Sequence, residues 1–457
     1  MIINQFDNVE VREDGHKYAL RAIDVGENVV KYGMPIGHAT AAIAKGEHVH
    51  VHNMATNLGE VLEYRYEPEG GFPPAGVQTE VRDRLPVIRA YRHSDGRVGI
   101  RNDLWVVPLV GCVNNLAERL ANSCGGLALT HPYGCSQLGK DHETTANLLA
   151  ALCRHPNAGG VLVVALGCEN NTLESFRARI GDCPGLNIRF LKAQDPGDEY
   201  ERGLALLKEL DAARPKERAE VPVSELVVGL KCGGSDGFSG LTANPLVGRF
   251  SDWLVARGGS AVLTEVPEMF GAETLLMKRC RTRDVFDRCV KMINDFKGYY
   301  TSHRQVCYEN PSPGNKAGGI TTLEDKSLGC VQKGGSAPVE DVLDYGERVR
   351  THGLSLLTGP GNDLVASTVL AAAGCHLILF TTGRGTPFGC VVPTLKIASN
   401  NRLAEAKPNW IDWNAMACPD TEAFARKVLA VASGEERAKN ELCGAQGIAI
   451  FKDGVTL

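Results

Sequence analysis

Aromatic residues are scarce, at 6% of the 457-residue chain, and neither sign of charge dominates: 49 Lys and Arg stand against 54 Asp and Glu. Without a basic excess the chain has no face on which nucleic-acid phosphates could sit, which excludes that class of partner. No run of ~18 apolar residues occurs, so no membrane span is expected. The opening stretch, MIINQFDNVEVRED, lacks the basic start and apolar core of a secretory leader. Two nucleotide loops are also missing: G-x-x-x-x-G-K-S/T, and G-x-G-x-x-G after the first strand. H-E-x-x-H is absent too, which leaves zinc-protease chemistry without support. With those classes set aside, a cytoplasmic enzyme that acts on small molecules is expected, on what the chain does contain.

Glycine and cysteine are abundant, with 51 and 15 residues. Fifteen cysteines in a long chain do not describe the disulfide framework of a short secreted domain. They describe reduced thiols, some of them free to bind metal. Much of the glycine follows short apolar runs, the pattern of an α/β enzyme whose pockets are lined by backbone.

The chain divides into four stretches. Residues 1–67 read as a small β-rich module, and 68–85, rich in Pro and Gly without periodicity, as a linker. Residues 86–219 and 220–457 then alternate apolar strands with amphipathic helices, as two βαβ-based α/β subdomains with parallel sheets. LWVVPLV, GGVLVVALG, ELVVGLK, SAVLTEV and CHLILFTTG have the near-continuous apolar character of strands covered on both faces.

In open α/β sheets ligands lie at the carboxyl ends of strands. Here those ends read GCVNN, HPYGCSQLGKDH, GCENN, KCGGSDGFSGLTANP and TGRGTPFG. Cys135, Cys168 and Cys232 share one slot, a Gly-Cys or Lys-Cys turn before a helix, where a lowered pKa favours metal ligation. Arg384 stands between glycines, either a clamp for a carboxylate or a solvated turn residue. SDGRVGIRND offers Arg97, Arg101, Asn102 and Asp103, as anion-binding groups or as a charged hairpin. At the other end of the chain His48, His50 and His52 alternate with valines. On a strand, alternate side chains share a face and repeat at ~6.6 Å, so three imidazoles would line one side. That face is a metal site, a substrate site, or the polar side of a half-solvated strand.

The longer motifs YGMPIGHATAAIAKGEHVHVHN, YGCSQLGKDH, GGVLVVALGCENN, NPSPGNKAGGITTLEDKSLGC, TTGRGTPFG and IAIFKDGVTL resemble, in this order, the altronate and galactarate dehydratase family over nearly the whole chain. The resemblance implies an N-terminal SAF-type β-clip module that holds the histidine strand, followed by a large α/β dehydratase region. It also implies a hydro-lyase that converts a hexonate, D-altronate, to 2-dehydro-3-deoxy-D-gluconate, with galactarate or another aldarate as the alternative substrate. Fe²⁺ or Mn²⁺ is the implied cofactor. An iron–sulfur cluster on Cys135, Cys168 and Cys232 is the alternative, since such clusters are held by thiolates. Within that frame His50 and His52 are metal ligands or an acid/base pair. Cys135, Cys168, Glu169 and Cys232 form a metal-proximal set, and Lys231 and Asp236 are further acid/base candidates. Asn53, Arg101, Gln137, Asn315, Lys316 and Arg384 would hold the substrate. The partner is a small sugar acid, and a homo-oligomer is expected.

Overall fold

A computed structural model describes residues 1–59, 63–70 and 85–457. The linker expected at 68–85 falls mostly outside the described residues. The N-terminal domain consists of two three-stranded antiparallel sheets, Val9–Val11, Lys17–Ala19 and His48–Val49 in one, Asn28–Lys31, Met34–Ala39 and Met54–Ala55 in the other. Its wiring repeats a short phrase. Ala-Ile-x-x-Gly-Glu occurs at 22–27 and again at 42–47, and the two copies pair through a bridge between Ile23 and Ile43. Both isoleucines are buried, so each copy supplies half of a very small core.

Next comes a four-stranded, all-parallel sheet in the order Leu127–Ala128, Asp103–Pro108, Ala158–Ala165, Ile188–Lys192. All eight residues of Ala158–Ala165 are buried, as a strand covered on both faces requires. Helices Asn114–Cys124 and Glu199–Ala213 cover one face. Gly139–Cys153 and Leu173–Ile180 cover the other, where they also pack against helix Asp363–Ala372 of the following domain.

The C-terminal domain is built on seven parallel strands in the order Val339–Leu343, Gly353–Leu357, Ser260–Leu263, Val227–Cys232, Leu377–Thr382, Thr394–Ala398, Trp413–Asn414. The chain starts at Val227–Cys232, winds out to one edge, then returns beside the first strand and winds to the other. This is a doubly wound sheet with its switch point between Cys232 and Thr382. Two helices follow one another at Glu273–Met277 and Arg283–Ser302. They are separated where Cys280 bridges to Val339 and the Thr282 side chain caps the second helix. No helix among the described residues is long and apolar enough to cross a membrane.

The N-terminal domain is seated over this switch point. The turn at Gly15 lies so close to Gly237 and Gly319 that a Cβ on either would collide with the Gly15 carbonyl oxygen. Lys17 and Lys31, both fully buried, reach a shared carboxylate, Asp325, at 2.7 and 2.9 Å. Glu324 accepts from Thr56 Oγ1 at 2.8 Å and from the Asn57 backbone N–H at 2.6 Å.

Candidate active site

At the switch point the loops after Cys232 and Thr382 are tied together, because the Gly383 and Arg384 N–H groups both donate to the Gly234 carbonyl. A cleft of about 580 Å³ opens there, roofed by Glu13, Asp14 and Gly15 of the N-terminal domain. Its floor carries three cationic side chains, Arg384, Arg402 and Lys407, with the amide of Asn400. That set suits an anionic, hydroxyl-bearing ligand. Asp236 also faces the cleft, but its carboxylate is committed. It accepts from Ser239 Oγ (2.8 Å), Ser399 Oγ (2.7 Å), Asn400 Nδ2 (2.8 Å) and the Phe238 N–H (3.2 Å). These bonds hold two strand-end loops, that of residues 236–239 and that of 399–400, in register, which suits a positioning role better than the acid/base role expected of it.

Beside the cleft the histidines gather, though not as a strand face. The strand ends at Val49, and residues 50–53 form a turn in which the Asn53 N–H donates to the His50 carbonyl at 3.0 Å. Val51 is 52% exposed, so no buried valine face exists. Asn53 is spent on the turn: Oδ1 accepts from the His50 N–H and Nδ2 donates to the His48 carbonyl. The rings converge nonetheless, with centroid separations of 5.4 Å for His48–His50 and 5.6 Å for His48–His52. They are joined by His16, whose ring lies 5.0 Å from His48 and 5.7 Å from His50. Sequence reasoning missed His16, because only the pairing of Tyr18 with His48 brings it to this face.

His50 Nε2 contacts the Lys316 carbonyl at 2.9 Å. The carbonyl can only accept, so Nε2 carries the proton and Nδ1 keeps a free lone pair. The contact also sets the imidazoles against the 316–318 segment, whose Ala317 and Gly318 line the cleft. Burial pushes the pKa of both His48 and His50 down. Neighbouring His16 and Lys17 add to this, partly opposed at His50 by the Lys316 carbonyl. Unprotonated imidazoles with free lone pairs are the state needed for metal ligation or for proton abstraction.

Beneath the switch point lies a buried charged cluster. Cys232, Glu268 and Cys330 bring one donor atom each within 4.8 Å of the others, with Sγ–Sγ at 3.3 Å and both Sγ–Oε2 distances at 3.2 Å. Three ammonium groups surround them. Lys333 Nζ is 2.8 Å from Cys232 Sγ, Lys326 Nζ is 2.7 Å from Glu268, and Lys231 is ion-paired to Glu265 and, at 3.0 Å, to Asp363. A divalent ion placed among three buried ammoniums meets strong repulsion at low dielectric, and two of the three donors already have a cation partner. The trio therefore fits a metal poorly and fits a charge-balanced support for the strand ends well. Glu265 holds a left-handed backbone, φ 73°, an arrangement costing roughly 1–3 kcal/mol. That cost is offset where its carboxylate joins Lys231 and Lys333 and accepts from the Cys232 N–H at 2.9 Å. Burial works against the charge on Lys231, but its carboxylate partners raise its pKa, and with Nζ held by Glu265, Asp363 and the Cys232 carbonyl it suits a structural cation better than the expected acid/base role.

The chain matches three family models: "Altronate/galactarate dehydratase SAF domain" over residues 3–57, "D-galactarate dehydratase/Altronate hydrolase, second domain" over 90–213, and "D-galactarate/Altronate dehydratase, C-terminal" over 223–456. It is 53% identical to "Altronate dehydratase" of Bacillus subtilis (strain 168) and 51% identical to that of Escherichia coli (strain K12). Each match covers 98% of this chain and 94% of the relative. The "Galactarate dehydratase (L-threo-forming)" of E. coli is 31% identical, over 97% of this chain and 91% of its own. The chain belongs to the altronate and galactarate dehydratase family.

Of the residues expected to form this family's site, Asp236 and Arg384 line the cleft, and His50 meets the Lys316 carbonyl beside its lining residue Ala317. The fold separates others. Arg101 is buried in an ion pair with Glu441 at 2.6 Å and donates to the Ile100 and Val431 carbonyls, so it is a strut and not a substrate clamp. Arg97 likewise pairs with Asp95 at 2.6 Å in a charged hairpin. Asn315 caps helix Pro313–Ala317 and donates to the Ser235 carbonyl. Glu169 accepts from the Leu166 and Gly167 N–H groups as a loop cap. The cysteine set divides too. Cys232 is enclosed by C-terminal-domain side chains, whereas Cys135, Cys168 and Gln137 stand on the four-stranded sheet of the second domain.

Proposed function

We propose that this chain dehydrates a sugar acid, with D-altronate as substrate, in the cleft between the SAF domain and the C-terminal sheet. Removing the C2 proton of a 2,3-dihydroxy acid is hard because the adjacent carboxylate is already anionic. Arg384, Arg402 and Lys407 place positive charge where that carboxylate would lie, which lowers the cost of the enediolate. A neutral imidazole takes the C2 proton, and a second, protonated one returns a proton to the departing C3 hydroxyl. His50, with Nδ1 free, suits the first task, and exposed His52 suits the second. The enol then tautomerises to the 2-keto-3-deoxy acid.

The imidazole donors of His16 and His48 fit a mid-series divalent ion such as Fe²⁺ or Mn²⁺, since His16 Nδ1 and His48 Nε2 are only 3.2 Å apart. When bound, such an ion supplies Lewis-acid stabilisation of the developing oxyanion. The reading is carried by one observation, the meeting of the clustered imidazoles and a cleft whose floor bears three cationic side chains at the switch point. Fifteen free thiols support a reducing compartment, such as the cytoplasm, for the reaction.

Parallel assays on D-altronate and galactarate, following 2-keto-3-deoxy acid release, test it. We expect turnover of D-altronate, loss with a chelator, and recovery with Fe²⁺ or Mn²⁺. Turnover of galactarate alone would overturn the substrate, and full activity in chelator would overturn the metal.

A further inference from the structure

The four-stranded sheet has a switch point of its own, between Asp103–Pro108 and Ala158–Ala165, and the strands end in Gly111-Cys112 and Gly167-Cys168. A third loop, residues 133–137, lies across this crevice and carries Cys135. Three contacts tie the loops together. The Gly111 N–H donates to the Tyr133 carbonyl at 2.9 Å, the Asn171 N–H to the Gly134 carbonyl at 3.1 Å, and the Ser136 N–H to Asn170 Oδ1 at 3.0 Å. Gly134 has φ 99°, and a Cβ there would collide with the Leu109 carbonyl oxygen, so only glycine lets the loop sit this close. Each cysteine is one or two residues from one of these contacts. All three thiols are exposed, and the contacts recorded for two of them are long, 3.6 Å from Gln194 Nε2 to Cys168 and 3.9 Å from Ser136 Oγ to Cys135.

A second, independent feature marks the same loops. Gln137 and Asn171 are 3% and 1% exposed, yet their amide nitrogens, Nε2 and Nδ2, have no hydrogen-bond partner. Buried N–H donors without acceptors are uncommon, and two on adjoining loops call for an acceptor that the protein itself does not supply. Sulfide ions or ligand oxygens are such acceptors.

We propose that Cys112, Cys135 and Cys168 hold a cubane 4Fe–4S cluster on three thiolates, with one iron left without a protein ligand. Spacing favours a cluster over a single ion. Thiolates on one tetrahedral zinc stand about 3.8 Å apart, given Zn–S bonds of about 2.3 Å. Among the described residues the one group of three donors within 4.8 Å of one another is Cys232, Glu268 and Cys330, so the three loop thiols are not gathered as closely as ligands to a single ion would be. Cys112 thus takes the place that Cys232 was expected to fill. An iron without a thiolate binds oxygen ligands, so the class of small molecule that fits is a hydroxy acid. The inference stands apart from the substrate reading, because iron and sulfide content can be measured whichever sugar acid is turned over.

Protein purified anaerobically, or reconstituted with Fe²⁺ and sulfide, is analysed for iron, acid-labile sulfide, visible absorption and electron paramagnetic resonance after reduction. We expect about four irons and four sulfides per chain. Cys112→Ser, Cys135→Ser and Cys168→Ser should each abolish or strongly reduce all four signals, while Cys124→Ser and Cys443→Ser keep them. Gln137→Leu should retain iron and sulfide but shift the resonance spectrum. Iron without sulfide, zinc in its place, no cluster after reconstitution, or a full cluster in all three serine variants would each overturn the assignment.

Discussion

Around the switch point of the seven-stranded sheet the SAF domain closes over the strand ends, bringing its histidines, and the floor beneath is cationic. Around that of the four-stranded sheet no other domain plays this part among the described residues. The segment at Thr456–Leu457 reaches the loop, through a bridge to Gln137 and a hydrogen bond to the Ser136 carbonyl. Both crevices arise from the same rule, strands diverging to either side of a first strand. What differs is the donor chemistry each sheet presents, imidazole and guanidinium on one, thiol and amide on the other. A fold of this type supplies the crevice, and the loops decide what enters it.

The largest effect expected from breaking this contrast comes from removing the roof. Asp325 is the only anion within salt-bridge distance of either Lys17 or Lys31 among the described residues, and all three side chains are at most 2% exposed. Asp325→Asn leaves two buried ammoniums without a counter-charge, a loss of roughly 3–5 kcal/mol. The SAF domain should detach. The expected outcome is an early unfolding transition in calorimetry and near-complete loss of activity, with the visible absorption assigned to the second domain preserved. A variant that unfolds in one transition at the wild-type temperature would show that the roof is held by something else.

Within the roofed crevice, His50→Ala should lower kcat by about a hundred- to ten-thousandfold, the usual worth of a proton-transfer group. Arg384→Ala should act mainly on KM, by about tenfold or more, because it holds a carboxylate that is charged before and after the reaction. Equal effects of Arg384→Ala on kcat and kcat/KM would instead place its contact in the transition state.

The sequence made the parallel-sheet strands legible because burial on both faces forces long apolar runs, as at 158–165 and 377–382. It concealed Gly353–Leu357 and Thr394–Ala398, where Ser355 and Lys396 interrupt the run yet are buried by their surroundings. The candidate site was legible in part. Arg384 and the histidine motif stood out by local composition. His16 did not, because a strand pairing across 32 positions places it, and Cys112 was passed over for Cys232 because both follow an apolar strand. Only the topology shows that the two belong to different sheets. Lys231, Asp236 and Arg101 carry the right functional groups for chemistry, and burial turns each of them to structural use.

Acidification should separate the two regions as well. His131, under the thiol loops, and His155 and His376, at the seam between the second and C-terminal domains, are buried as neutral rings. Burial lowers the pKa of His131 and His376 to about 4 and holds that of His155 well below its usual value. A base whose pKa is depressed on folding takes up protons more readily when unfolded. Stability is therefore full above about 6.5 and falls as pH drops from there towards 4, by up to about 3 kcal/mol for each such group. Melting temperatures measured from pH 7 to 5 should fall, and His376→Gln should fall less steeply over the same range than wild type. A parallel slope in the variant would rule out His376 as a contributor.

The smallest effect tests whether the histidine motif is a turn before it is a site. Asn53 spends both ends of its amide on the turn, to the His50 N–H at 2.9 Å and the His48 carbonyl at 2.9 Å, and is 2% exposed. If its work is to set the two rings, Asn53→Ala should cost about 1 kcal/mol of stability, the worth of one side-chain cap. It should also lower kcat while leaving KM for the sugar acid nearly unchanged, since no contact to the carboxylate is lost. Asn53→Asp, which keeps the acceptor for the His50 N–H, should recover part of the rate. A variant in which KM rises and kcat is unaltered would return Asn53 to the substrate-binding role that its position in the sequence suggests.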